Sequence, residues 1–235
     1  MELSIVIPAY NEEKRLQKTL DVIVEFCKKK RIKYEIIVVN DGSTDKTKHI
    51  IQANCRINTR IMLVDNNKNR GKGYSVKHGV KKASGDLILF SDSDLSTPIE
   101  EYEKLKEYID KGYDIAIGSR RIKGSEIKIK QPLHRRLIGK IFGLLVEILL
   151  LKGIKDTQCG FKLFRTNTAK NVFTQQRIRG YCFDVEILYI SRNEYNAKIK
   201  EVPVTWINSA ELSKVNVVKE SPRMLKDLIK IRYMR

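Results

Sequence analysis

Two carboxylates two residues apart, Asp92 and Asp94 with Ser93 between them, directly follow the apolar run Leu87 to Phe90. Carboxylates at that spacing beyond a strand end can share one hard divalent cation, Mg2+ or Mn2+, whose remaining positions a diphosphate fills. A plainer use competes with this one, in which Asp94 or Ser96 caps a helix opening near Pro98. Asp41-Gly42-Ser43 follows a second apolar run. The Asp41 carboxylate could accept N–H groups from a base or contact a ribose, while Ser43 or Asp45 could cap the next helix without it. Arg70-Gly71-Lys72-Gly73 sets small residues beside a cation at a helix start, which suits an anionic ligand. It is a poor dinucleotide fingerprint, since Val76 stands where the third glycine belongs, and an exposed loop of solvated charges is its alternative.

These residues need a scaffold, and the periodicity predicts one. Short apolar strands are expected at Leu3 to Ile7, Glu35 to Val39, Ile61 to Val64, Leu87 to Phe90 and Ile115 to Gly118. Amphipathic helices are expected between them, at Glu12 to Lys30, from about Asp45, at Gly73 to Ala83 and at Pro98 to Lys111. Near-continuous apolar strands alternating with such helices imply a mostly parallel sheet covered on both faces. Ligands of such sheets bind at the carboxyl ends of the strands. Here those ends carry Pro8-Ala9-Tyr10-Asn11-Glu12, Asn40-Asp41-Gly42, Ser91-Asp92-Ser93-Asp94 and Ser119-Arg120. Beyond Arg120 the pattern predicts helices at Leu133 to Lys152 and Phe183 to Asn193, a strand near Lys198 to Trp206 and a last helix opening at Ser221-Pro222.

Composition narrows the partners. Across 235 residues the formal net charge is +18, which requires an anionic partner such as nucleic acid, an acidic membrane surface or a phosphorylated small molecule. Residues 120–140 hold eight Lys/Arg against one Glu, and residues 214–235 hold seven against two acidic residues. Few aromatics interleave these cations, which disfavours nucleic-acid binding. Cys27, Cys55, Cys159 and Cys182 lie far apart with no CxxC pair, so neither a zinc site nor a disulfide scaffold is expected. The N-terminus runs straight into a strand, with no signal-peptide pattern. The longest apolar stretch, Ile141 to Leu151, is eleven residues with Glu147 inside it, too short to span a bilayer. Leu133 to Lys152 reads as an interfacial helix, with an ordinary core helix as the alternative.

Ser4-Ile5-Val6-Ile7-Pro8-Ala9-Tyr10-Asn11-Glu12, Val39-Asn40-Asp41-Gly42-Ser43-Thr44-Asp45 and Asp92-Ser93-Asp94 together resemble the inverting family 2 glycosyltransferases of the GT-A fold. Gly118-Ser119-Arg120, the segment Asp156 to Lys162 and Ser213-Lys214-Val215 resemble their polyprenyl-phosphate branch, the dolichyl-phosphate β-glucosyltransferases and dolichol-phosphate mannose synthases. Phe183-Asp184-Val185-Glu186 looks more like the glucosyl members. The resemblance implies a Rossmann-like three-layer α/β/α fold and a metal-dependent transfer of glucose from UDP-glucose to a polyprenyl phosphate. GDP-mannose as donor, or a saccharide as acceptor, is the alternative.

The resemblance also implies roles. Pro8, Tyr10, Glu12, Asp41, Lys72, Asp92, Ser93 and Ser213 would bind the nucleotide sugar. Asp92 and Asp94 would hold Mg2+ or Mn2+. Asp94, Arg120 and Lys214 would act at the reacting centre, and Arg120, Arg135 and Gln158 would receive the acceptor phosphate. Ser96 stands where mannose synthases carry a glutamine metal ligand, and Gly139 where an acceptor-binding serine is expected. A phosphate monoester has a second pKa of ~6 and attacks without a base, whereas a sugar hydroxyl needs one. Asp184 and Glu186 are the remaining carboxylates for that purpose, unless they cap and brace a helix. The expected organisation is a transferase domain over 1–210, with a nucleotide-sugar half (1–120) and an acceptor half (121–210) containing the interfacial helix 133–152. A basic amphipathic segment over 211–235 completes it. The expected location is cytoplasmic, peripheral on the inner face of the membrane.

Overall fold

The computed structural model describes residues 1–129, 133–207 and 217–233. Its centre is a seven-stranded sheet with β1 at Leu3–Ala9, β2 at Tyr34–Asn40, β3 at Ile61–Asp65, β4 at Leu87–Ser91, β5 at Ile115–Ser119, β7 at Phe161–Arg165 and β8 at Ile199–Pro203. The spatial order is β3-β2-β1-β4-β7-β5-β8. Every pairing is parallel except the two made by β7, which runs antiparallel between β4 and β5. A second, two-stranded sheet pairs β6 (Glu126–Ile127) with β9 (Thr205–Trp206).

Alternation along the strands splits the core in two. Ile5, Ile7, Ile36 and Val38 face one layer, made by α1 (Leu16–Lys29), α2 (Thr47–Ile57) and α4 (Tyr102–Asp110). Val6, Ile37, Val39 and Phe90 face the other, made by α3 (Lys72–Lys82), α6 (Thr166–Gln175) and α7 (Phe183–Asn193). On the outside of that second layer lie α5 (Leu133–Leu149) and α8 (Val217–Arg232), which pack together. The expected three-layer α/β/α arrangement with a mostly parallel sheet is what forms.

Departures from the expected elements have local causes. The first helix starts at Leu16 rather than Glu12, because residues 11–13 are tied to the next strand end. The Asn11 N–H donates to Ser43 Oγ, that of Glu12 to Thr47 Oγ1 and that of Glu13 to Asp45. The helix expected from Pro98 opens as a 3-10 turn over Ile99–Glu101. The last helix begins at Val217 and carries Pro222 inside its first turns instead of opening on it. The pattern did not reveal β7, because Lys162 interrupts its apolar run, yet Lys162 is fully buried.

All four cysteines are free. Among the described residues no helix is long and apolar enough to cross a membrane.

Candidate active site

Register brings the clusters together. Ala9 pairs with Asn40 and Asn40 with Asp65, so β1, β2 and β3 end side by side. Because β7 is antiparallel, Phe161 at its start pairs with Ser91 at the end of β4. The segment 156–160 is thereby delivered to Asp92, whose N–H donates to the Gly160 carbonyl at 3.0 Å. A Cβ at Gly160 would overlap the Asp92 carboxylate, so only glycine leaves that carboxylate its space.

Asp41 is 4% exposed and makes no helix cap. Its Oδ1 accepts the Arg70 N–H and Asn66 Nδ2, and its Oδ2 accepts the Gly71 N–H, each at 2.9 Å. The carboxylate therefore fixes the loop ahead of Lys72. Gly42 must be glycine here, with φ at +68° and a would-be Cβ in the backbone of Lys68 and Asn69.

Lys72 Nζ lies 2.6 Å from Asp92 Oδ1 and over the Phe90 ring. Burial works against this ammonium, but Asp92 and Asp184 outweigh it and hold its pKa above the ordinary lysine value. Asp94 Oδ1 accepts the Ser96 N–H at 2.9 Å. It does not cap the helix at Pro98, where no side chain does. Its Oδ2 lies 3.6 Å from Arg15 Nη1, and Arg15 also grips Glu12 through two N–H groups. Pro8 lies near the end of β1 and exposed Tyr10 just beyond it. Ser93 is buried, and its carbonyl accepts Thr19 Oγ1 at 2.7 Å.

Arg120 is not a free cation. Its Nε and Nη2 reach the two oxygens of Asp156 at 2.7 and 2.8 Å, its backbone N–H donates to the same carboxylate, and its guanidinium stacks on Trp206. Burial alone would raise the Asp156 pKa, but the Arg120 charge overrides it and holds it at about 2. Gln158 Nε2 is shielded from solvent with no hydrogen-bond partner among the described residues. Arg135 lies in the first turn of α5. Ser213 and Lys214 fall outside the described residues.

Asp184 and Glu186 are both internal. Lys162 Nζ donates to Asp184 Oδ1 at 2.5 Å and to the Cys159 carbonyl at 2.6 Å. Burial raises the Asp184 pKa despite Lys162 and Lys72. Glu186 accepts the N–H groups of Arg177 and Ile178 at 2.7 and 2.8 Å, and burial raises its pKa too. Sequence reasoning missed Arg15, and it named Asp156 and Lys162 only as part of the segment that carries the resemblance, without their pairing to Arg120 and Asp184. Arg15 carried a signal of its own, three residues after Glu12 at a helix start.

The donors around Asp92 and Asp94 fit a hard divalent ion. They are carboxylate oxygens, the Asp92 side chain is 35% exposed, and the missing side chain at Gly160 leaves that carboxylate its space. Among the described residues no three metal-ligating side chains converge.

Residues 4–173 match the family model described as glycosyl transferase family 2. A dolichyl-phosphate β-glucosyltransferase of Trichomonas vaginalis is 38% identical over 239 residues, covering 97% of this chain and 72% of that protein. The Homo sapiens dolichyl-phosphate β-glucosyltransferase is 35% identical over 248 residues, covering 99% of this chain and 76% of its own. Among solved structures, glucosyl-3-phosphoglycerate synthase of Mycobacterium tuberculosis, in complex with Mn2+, UDP-glucose and phosphoglyceric acid, aligns with a TM-score of 0.70. It is 18% identical and covers 98% of this chain and 78% of that one, which establishes the GT-A fold. Strand-end chemistry, fold and near-full-length relatives agree, and the chain belongs to glycosyl transferase family 2.

Proposed function

We propose that the protein transfers glucose from UDP-glucose to a polyprenyl phosphate with inversion, as a peripheral enzyme on the cytoplasmic face of a membrane. The observation that carries this reading is the state of the two spare carboxylates. Asp184 is spent on Lys162 and Glu186 on two backbone N–H groups, so neither presents a base to an acceptor. A sugar hydroxyl would need that base, and a phosphate dianion does not.

In this reading the nucleoside lies across Pro8, Tyr10, Glu12 and the Asp41-held loop, with Ser93 beneath it. Asp92 and Asp94 would hold Mg2+ or Mn2+, which when bound neutralises charge developing on the UDP oxygens. Lys72, already on Asp92, adds a fixed ammonium beside the diphosphate. Arg120, oriented by Asp156, and Gln158, with its unused amide donor, receive the acceptor phosphate with Arg135. Ser213 and Lys214, which lie outside the described residues, are assigned to the donor and the reacting centre by the family resemblance alone.

Membrane placement rests on α5. Leu137, Ile141, Leu144 and Ile148 are each more than half exposed along one stripe, while Phe142, Leu145 and Val146 pack on the core. An apolar stripe left outside a folded domain suits an interfacial helix better than a core one.

The test supplies radiolabelled UDP-glucose or GDP-mannose, polyprenyl phosphate in detergent, and magnesium or manganese. Label should reach the organic phase from UDP-glucose alone and vanish with chelator. Transfer only from GDP-mannose would overturn the donor.

A further inference from the structure

Beside the loop that Asp41 holds at the sheet edge, a cleft of about 970 Å3 lies between α8 and the two loops 68–71 and 177–180. That volume is in the range of ligand sites. Lys68, Arg70, Arg177, Arg179, Arg223 and Lys230 line it. Its one lining carboxylate, Asp227, is paired with Lys230. The other five cations have no carboxylate partner among the described residues.

The walls are held in place by backbone. Asp41 fixes the N–H groups of Arg70 and Gly71, Glu186 fixes those of Arg177 and Ile178, and the Gly73 N–H donates to the Arg179 carbonyl at 2.8 Å. Arg70 and Arg179 are brought onto the same ring, 5.1 and 5.8 Å from the centroid of Tyr74. Two guanidiniums gathered at one ring repel each other until an anion lies between them, and guanidinium forks match phosphate oxygens.

The neighbouring surface indicates where the phosphate comes from. On α8, Arg223, Asp227 and Lys230 face the cleft, and the next stripe round the helix is apolar: Leu225 is 45% exposed, Ile229 62% and Tyr233 80%. Tyr233 belongs to both surfaces. α5 packs against α8 and carries the other exposed apolar row.

We infer that this cleft is a second anion site, sharing the Asp41-held loop with the donor pocket but none of its strand-end carboxylates, which takes the phosphate of an acidic lipid headgroup when the α5 and α8 stripes rest on a bilayer. The source of the phosphate rests on the membrane-facing reading of α5; the anion site itself rests on the cleft.

The test uses the full chain, the cleft pair Arg177→Gln with Arg223→Gln, and a control pair, Lys18→Gln with Lys28→Gln, which removes the same charge from exposed positions on α1. Each is sedimented with phosphatidylcholine vesicles containing or lacking phosphatidic acid, and titrated with inorganic pyrophosphate. The cleft pair should bind acidic vesicles roughly twentyfold more weakly than wild type, and the control pair within about twofold. The cleft pair should also lose pyrophosphate binding. Equal weakening by both pairs would reduce the effect to bulk charge and overturn the site. Lost pyrophosphate binding with unchanged vesicle binding would assign the cleft to a soluble phosphate and overturn the headgroup. Turnover with polyprenyl phosphate in detergent should be unchanged in the cleft pair; its loss would merge the cleft with the catalytic site and overturn the separation.

Discussion

The carboxyl edge of the sheet and the outer side formed by α8 are both rich in charge, but they treat it in opposite ways. At the edge four cations have carboxylate partners: Lys72 has Asp92, Arg120 has Asp156, Lys162 has Asp184 and Arg15 has Glu12. On the α8 side five cations face one cleft with no such partner among the described residues, beside an apolar stripe. Paired charges at the edge are held in place before substrate arrives, so little reorganisation is needed when charge moves there. Unpaired charges cost folding stability through mutual repulsion, and they lower the free energy only when something anionic arrives from outside. The edge is built for chemistry and the outer side for docking.

The largest effect is expected at the edge. Asp94→Ala removes a proposed metal ligand together with the acceptor of the Ser96 N–H. Transfer should fall roughly 10^4-fold with little change in vesicle binding. Near-normal turnover would remove Asp94 from the metal site. The next concerns stability. Lys162→Met leaves Asp184 buried without its cation, which should cost about 3–5 kcal/mol in urea unfolding. Adding Asp184→Leu should recover most of that loss, since an apolar pair of similar volume avoids both desolvation costs. Failure of the double variant to recover would mean that the pair also positions the loop at Cys159.

A smaller effect separates the pairs by pH. The Asp156 pKa is about 2 in the fold against ~3.9 when unfolded. A depressed carboxylate contributes its stability above the unfolded value and loses it as pH falls through the folded one. Asp156→Asn should therefore be less stable than wild type by roughly 2 kcal/mol at neutral pH, with about half that gap closed by pH 3. Urea midpoints at pH 7, 4 and 3 check it. A constant gap would show that Asp156 acts through shape rather than charge.

Legibility in the sequence follows the same division. The edge was readable where chemistry and strand end coincide: Pro8 to Glu12, Asp41, Asp92 and Asp94 are short clusters after apolar runs, and parallel register brings them together. Its second layer was not. Lys162 reads as an interruption of a strand, because its neutralising partner Asp184 is 22 residues away on another element. Arg120 reads as a free cation for the same reason, with Asp156 36 residues off. Local patterns reveal a residue's type and face; which charges cancel depends on the antiparallel insertion of β7, which the apolar periodicity does not encode. The outer cleft lay further out of reach, since its lining comes from three separate segments and was visible only as excess charge.

The smallest effect probes the outer side at α5. Leu137 and Ile141 are 57% and 53% exposed, one turn apart on the stripe that leaves the core. Exposed apolar side chains contribute little to folding, so Leu137→Gln with Ile141→Gln should leave the urea midpoint nearly unchanged. Both side chains would lose area that a bilayer interface covers, and vesicle binding should weaken roughly tenfold. If α5 docks while the edge reacts, turnover with acceptor in vesicles should fall with binding, and turnover with the same acceptor in detergent should not. Loss of turnover in both settings would extend the chemical site onto α5, whose first turn holds Arg135, and the division between a reacting edge and a docking side would fail there first.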